Sequence, residues 1–190
     1  MNPNPHDPQD LDFSRHFASD TALPEPAHTP EQLKEIDDLG SIGANVLKDQ
    51  GFYVRIVTAR GGGTTLPANP SVLVVEDDPG TSAVIVKALG SYGYRTRTAK
   101  DRGGIVAALS APPVPDLILL DVMLEDINGF DVLNRVRQHG STRWVPVIML
   151  TSLSEPADIA KGLALGADAY LSKPLLPSTL IDAVQAVLGG

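Results

Sequence analysis

The sequence contains no cysteine. Disulfides, thiolate nucleophiles and Cys-ligated zinc are therefore excluded. It also lacks any apolar run approaching the ~18 residues of a membrane span, and its N-terminus has no basic segment followed by an apolar one. No membrane contact is expected, and a cytoplasmic location is the default. Basic residues are outnumbered: 15 Lys and Arg stand against 23 Asp and Glu, a formal charge of −8, with a pI near 4.8. Polyanions repel such a chain. Non-specific attraction to nucleic acid is excluded, and no direct nucleic-acid contact is anticipated. A dinucleotide fingerprint is missing as well. Where Gly-x-Gly-x-x-Gly would follow a first strand, the chain has Glu76-Asp-Asp-Pro-Gly80.

What is present divides unevenly. With 190 residues the chain can form one domain and an extension, or two small domains. Residues 1–30 hold six of the 16 prolines. That composition buries too little apolar area to offset chain entropy, so residues 1–29 read as a disordered tail. Leu11, Phe13 and Phe17 form a short apolar segment within it. Thr29-Pro30-Glu31-Gln32 then has the form of a helix start. Leu33, Ile36, Leu39, Ile42, Val46 and Leu47 follow at helical spacing, weakened by Gly40 and Gly43 and ended by Gly51. Residues 52–58 are β-branched and aromatic and predict a strand. Residues 30–60 thus form a helix–strand extension too small to be stable alone, and 61–70 read as a Gly-rich linker. The extension is expected to pack on the main domain, on a second copy or on a partner.

From Ser71 onward the pattern is regular. Strands are predicted at 72–75, 94–98, 116–120, 145–150 and 169–172. Helices are predicted at 79–91, with Val84, Ile85, Ala88 and Leu89 inward, and at 101–110, 130–139, 155–165 and 177–188. Strict alternation implies a doubly wound parallel α/β sheet of five strands with helices on both faces. In such a sheet the carboxyl ends of the strands share one rim. Glu76 and Asp77 end the first strand, Asp121 the third, Thr151 the fourth and Lys173 the fifth. Asp121 is thereby a candidate nucleophile, metal ligand or turn cap. Unpaired carboxylates so close together repel one another, and a hard divalent cation such as Mg²⁺ relieves this. A carboxylate, a metal site, a lysine and a hydroxyl supply what phosphoryl transfer to aspartate requires. Other charges have plainer readings: Asp78 as cap of the helix that begins at Pro79, Asp116 as a cap on the opposite rim, Glu125 and Asp126 as solvated loop charges. Tyr170 can be read as a half-buried strand residue.

Four pieces carry a family resemblance: Val72-Leu-Val-Val-Glu-Asp77; Leu119-Leu-Asp121-Val-Met with Gly129 eight residues after the acidic residue; Leu150-Thr151-Ser152; and Ala167-Asp-Ala-Tyr170-Leu-Ser-Lys173-Pro174. In this order they resemble the receiver domain of two-component response regulators, over residues 71–190. The resemblance implies a flavodoxin-like sheet of order 2-1-3-4-5. It implies Asp121 as phospho-acceptor, Glu76, Asp77, Asp121 and the Met123 carbonyl around Mg²⁺, and Lys173 and Thr151 on the phosphoryl group. Thr151 and Tyr170 would be the switch pair, and Lys173-Pro174 a cis peptide. The donor would be a sensor histidine kinase or phosphotransfer protein. The chain would be no enzyme beyond its own aspartyl phosphorylation and dephosphorylation.

The sequence also departs from the family pattern. Glu125 replaces a frequent proline, and Gly103-Gly104 weakens a helix. Met123 and Leu153 are apolar where water-orienting side chains are common, which implies a phosphoryl lifetime of hours rather than seconds. The helix at 177–188 carries one charge, Asp182. It lacks the basic residue of the cross-dimer ion pairs of winged-helix regulators, and no output domain is expected after it. A stand-alone receiver signalling to a downstream protein target follows, with a homodimer possible through residues 30–60. The readout surface would be the helix 155–165, the strand 169–172 and the helix 177–188. The alternatives are a pseudo-receiver that binds partners regardless of phosphate, and a haloacid-dehalogenase-like phosphatase. The phosphatase would need a second Asp where Met123 stands.

Overall fold

The computed structural model describes residues 13–17, 23–55, 67–152 and 155–189. Six strands form one sheet: β1 (Phe52–Val54), β2 (Ser71–Val75), β3 (Arg95–Ala99), β4 (Leu117–Asp121), β5 (Val147–Thr151) and β6 (Ala169–Ser172). The helices are α1 (Pro30–Gln50), α2 (Pro79–Ser91), α3 (Arg102–Ser110), α4 (Gly129–Gln138), α5 (Pro156–Leu165) and α6 (Pro177–Leu188). The strand order is β1-β6-β5-β4-β2-β3. β2 through β6 are mutually parallel and reproduce the expected 2-1-3-4-5 arrangement. The expected count of five is exceeded by β1, which adds to β6 antiparallel. The strand ends at Val54, and residues 56–58 of the strand read from sequence lie outside the described residues.

β2, β4 and β5 are buried at every residue. Their near-continuous apolar runs follow from helices covering both faces. α2 and α6 pack on one face, around Ile85, Leu89, Leu180 and Val184. α1, α3, α4 and α5 pack on the other, around Ile105, Leu133, Ile159 and Leu163. Val84, expected to point inward, is exposed. Among the described residues no helix is long and apolar enough to cross a membrane.

The N-terminal part departs furthest from expectation. Thr29 and Gln32 close a reciprocal capping box on α1. The helix does not bury all the apolar residues named from its spacing, since Leu33 and Ile42 are exposed. It buries Ile36 and Leu47 of that set and, with them, Gly40, Gly43 and Ala44, because its glycines form the seam against α5. Residues 1–29 were expected to be disordered, yet the described part of them is docked. Phe13–Phe17 forms a 3-10 helix with both phenylalanines buried. The Phe13 ring lies 4.8 Å from that of His139, and the Arg135 guanidinium stacks 5.0 Å from the Phe17 ring. Further on, the carbonyl of Leu23 accepts from Asn134, that of Pro24 from Asn134 and Gln138, and His28 Nε2 lies 3.0 Å from the carbonyl of Ala164. Two aromatic anchors and these backbone contacts overcome the proline-rich composition. Leu11 lies outside the described residues.

Candidate functional site

The carboxyl rim of the sheet gathers four side chains. Asp121 ends β4 and is 3% exposed. One of its oxygens accepts from the Met123 amide at 3.1 Å, the other from Lys173 Nζ at 2.6 Å. Gly129 sets this geometry. A methyl group there would overlap the Asp121 carbonyl and lie 2.8 Å from Val122 Cα. Only glycine lets the loop return close enough for its amide to donate to the Val122 carbonyl. Glu76 follows β2 and is equally buried, and Lys173 Nζ lies 2.8 Å from its Oε2. Asp77 is half-buried and accepts from the Glu125 amide at 2.9 Å. Lys173 follows β6, and its amide donates to the carbonyl of Thr151, which is itself 2% exposed.

The electrostatics are those of crowded anions around one cation. Burial pushes the Glu76 carboxyl above the usual carboxylate range, and the Asp121 charge adds to this while Lys173 opposes it. Burial works against the charge of Lys173, but its contacts with Asp121 and Glu76 outweigh that and hold its pKa above the ordinary lysine value. Glu76 Oε2 is buried and, despite the nearby lysine, takes no hydrogen bond of good geometry. One ligand atom from each of Glu76, Asp77 and Asp121 lies within 4.8 Å of the others. Three hard oxygen donors and an under-satisfied buried carboxylate oxygen fit a small divalent cation.

The remaining candidates separate. Asp78 caps α2 at 2.6 Å from the Thr81 amide, and the Thr81 side chain together with that amide holds its carboxyl below the usual range. Asp116 binds the amide and hydroxyl of Ser71 on the opposite rim. Asp126 and Glu125 are exposed, as expected, and Asp126 also accepts from the Arg102 amide at the start of α3. Tyr170 is 1% exposed rather than half-buried. Its hydroxyl donates to the Ile159 carbonyl, and burial, with the Asp158 charge, pushes its phenol far above the usual range. Lys173-Pro174 is cis. Met123 is exposed, whereas Leu153 lies outside the described residues. Sequence reasoning gave no role to Arg137 and Asp168, a pair at 2.7 Å below the same sheet. Nothing in two charges 31 residues apart signals that they meet.

Comparison with known proteins agrees with the rim's geometry. Residues 72–185 match the response regulator receiver domain. The DNA-binding dual master transcriptional regulator RpaA of Synechocystis is 39% identical over 120 residues, 63% of this chain and 49% of that protein. The phosphate regulon transcriptional regulatory protein PhoB of Escherichia coli is 37% identical over 117 residues, 62% of this chain and 51% of that protein. The receiver domain of the sensor histidine kinase PA1611 of Pseudomonas aeruginosa, solved with magnesium in its active-site cleft, superposes with a TM-score of 0.57 at 34% identity. That superposition covers 65% of this chain and all of the other.

The chain spans about half the length of these curated relatives. The expectation of no direct nucleic-acid contact is overturned here, because a regulator this similar is DNA-binding. Net charge speaks to non-specific attraction and says nothing of a sequence-specific reader. With the receiver match running through the strands that hold Asp77, Asp121, Thr151 and Lys173, the chain belongs to the response regulator receiver family.

Proposed function

We propose that Asp121 accepts a phosphoryl group from a phosphohistidine on a sensor histidine kinase or phosphotransfer protein. The observation that carries this reading is Lys173, held 2.6 Å from the buried Asp121 carboxylate with its own side chain partly exposed. An Asp121 oxygen attacks phosphorus, the P–O bond forms as the P–N bond breaks, and the imidazole nitrogen keeps the electron pair. Lys173 exchanges its contact with the carboxylate for one with a phosphoryl oxygen, and the Thr151 hydroxyl donates to another. Glu76, Asp77, Asp121 and the Met123 carbonyl would hold Mg²⁺, which neutralises charge on the transferring group. A shallow depression lined by Thr81, Val84, Lys173 and Leu175 opens beside the lysine and gives the donor access. Reversal needs a water at phosphorus. Met123 cannot orient one, which supports a long-lived phosphoryl group.

Thr151 ends β5, and Tyr170 lies on the adjacent β6 two register positions before Thr151's partner Ser172, so the phosphorylated state is read on α5, β6 and α6 by a protein target. The experiment is incubation with a small phosphodonor and Mg²⁺. An added phosphoryl mass is expected in the wild type and absent in Asp121→Asn. Partner binding that is identical with and without the phosphoryl group would favour a pseudo-receiver instead.

A further inference from the structure

The surface formed by α5 and β6 is already occupied by this chain's own residues 30–54. β1 pairs Phe52 with Leu171, Tyr53 with Tyr170 and Val54 with Ala169. Hydrogen bonds from the Ser172 amide to the Gly51 carbonyl and from the Arg55 amide to the Asp168 carbonyl lengthen the ladder, at 2.8 and 2.9 Å. α1 lies across α5 through glycine. A methyl group on Gly40 would sit 2.7 Å from the Pro156 carbonyl and 2.8 Å from Ala160 Cβ. One on Gly43 would sit 2.9 Å from the Tyr53 ring and 3.0 Å from Ile159. The seam therefore has no slack.

It is also wired to the rim. Ser172 pairs with Thr151 and immediately precedes Lys173. Pro156 opens α5 five residues after Thr151. Tyr53 and Tyr170 are cross-strand partners on one sheet face and belong to the same apolar cluster. Tyr170 is 1% exposed, its hydroxyl held by the Ile159 carbonyl of α5 and its outer edge taken by Tyr53. An aromatic sealed in this way cannot report phosphorylation by rotating, so the covering element has to move instead.

We propose that α1–β1 is a detachable cover of the α5–β6 surface, released by phosphorylation of Asp121 to a protein partner that pairs its own strand with β6. This rests on the acceptor reading above. Release follows from the packing. A shift of Thr151 and Lys173 toward a phosphoryl group displaces Ser172 and the start of α5, and close contacts at Gly40 and Gly43 turn small displacements into overlap. The cover can give way as a unit, because β1 itself is only three residues long and α1 carries two internal glycines that lower its own helix stability. The exposed β6 edge then offers unpaired backbone groups, the chemistry of strand addition. Coupling is reciprocal, so a loosened cover favours the phosphorylated state.

Amide hydrogen exchange on the full chain tests this. After phosphorylation, the amides of Ser172 and Arg55 are expected to exchange at least about tenfold faster. Ile118 and Val122, whose amides are bonded inside the parallel sheet, keep their protection. Asp121→Asn shows no change with donor. Gly43→Leu exchanges fast at the same two amides without donor. Gly90→Ala, whose methyl group meets open space, behaves as wild type. A phosphoryl mass with protection at Ser172 and Arg55 unchanged or increased overturns the cover alone. Absence of any phosphoryl mass overturns the acceptor reading and the cover with it.

Discussion

Asp168 has no part in the rim chemistry, yet one of its oxygens takes two hydrogen bonds that fix how β5 and β6 begin. That oxygen accepts from the Val147 amide at 2.8 Å and from Arg137 at 2.7 Å. Arg137 also donates to the carbonyls of Gly166, Arg143 and Val145. Removing one partner of such a pair strands the other, so Asp168→Ala is expected to cost about 3 kcal/mol in urea unfolding. A loss under about 1 kcal/mol, the worth of an exposed pair, would show that the site is more solvated than its 10% side-chain exposure indicates. Gly162 offers a sharper test. A methyl group there would overlap the Tyr170 hydroxyl and lie 3.1 Å from Phe130. Alanine returns about 1 kcal/mol of helix preference, whereas overpacking costs about 1–3. Gly162→Ala is therefore expected to destabilise the wild type, and by at least about 1 kcal/mol less in Tyr170→Phe, where the hydroxyl is gone. Equal losses in both backgrounds would mean that Tyr170 is not held against α5.

The elements legible in the sequence are those whose apolar residues mark a burial period, and the illegible contacts are those made by residues that mark none. β2, β4 and β5 announce themselves as short apolar runs with charged or hydroxyl-bearing exits, and the site residues follow from where those runs stop. α1 is legible as a helix from its cap and spacing, but its packing face is not, because Gly40 and Gly43 add nothing to an apolar pattern. The 3-10 helix at Phe13–Phe17 is hidden for the opposite reason, two aromatics within a proline-rich stretch that cannot fold alone. Its Phe13 amide donates to the Ser110 hydroxyl, and its rings rest on α4. A buried Phe→Ala change costs about 3–5 kcal/mol in a fixed core. This segment is a single five-residue 3-10 helix and can detach as a unit, so its docking energy caps the loss. Phe13→Ala and Phe17→Ala are expected to cost similar amounts, and the double variant little more than either, measured by urea midpoints. Additive losses would show that the segment stays docked without its anchors.

At the scale of the molecule, the parallel sheet brings three carboxylates and one lysine to a single rim, which leaves an excess of buried negative charge in the resting chain. That excess opposes folding and invites a cation, so both effects show in one measurement. A ligand that binds only the folded chain stabilises it by RT ln(1 + [L]/Kd), about 2.7 kcal/mol at a hundredfold excess over Kd. For a chain of this length each kcal/mol moves the melting temperature by about 2–4 °C. Saturating Mg²⁺ is therefore expected to raise Tm by roughly 5–10 °C in the wild type. Ionic screening is the competing explanation, and sodium chloride at matched ionic strength isolates it. Asp77→Asn removes a half-buried carboxylate whose backbone partner, the Glu125 amide, an asparagine oxygen can still serve. The variant should fold, melt at or above the wild-type temperature without Mg²⁺, and lose most of the Mg²⁺ shift. A shift that persists in Asp77→Asn, or that sodium chloride reproduces, would place the cation elsewhere than between Glu76, Asp77 and Asp121.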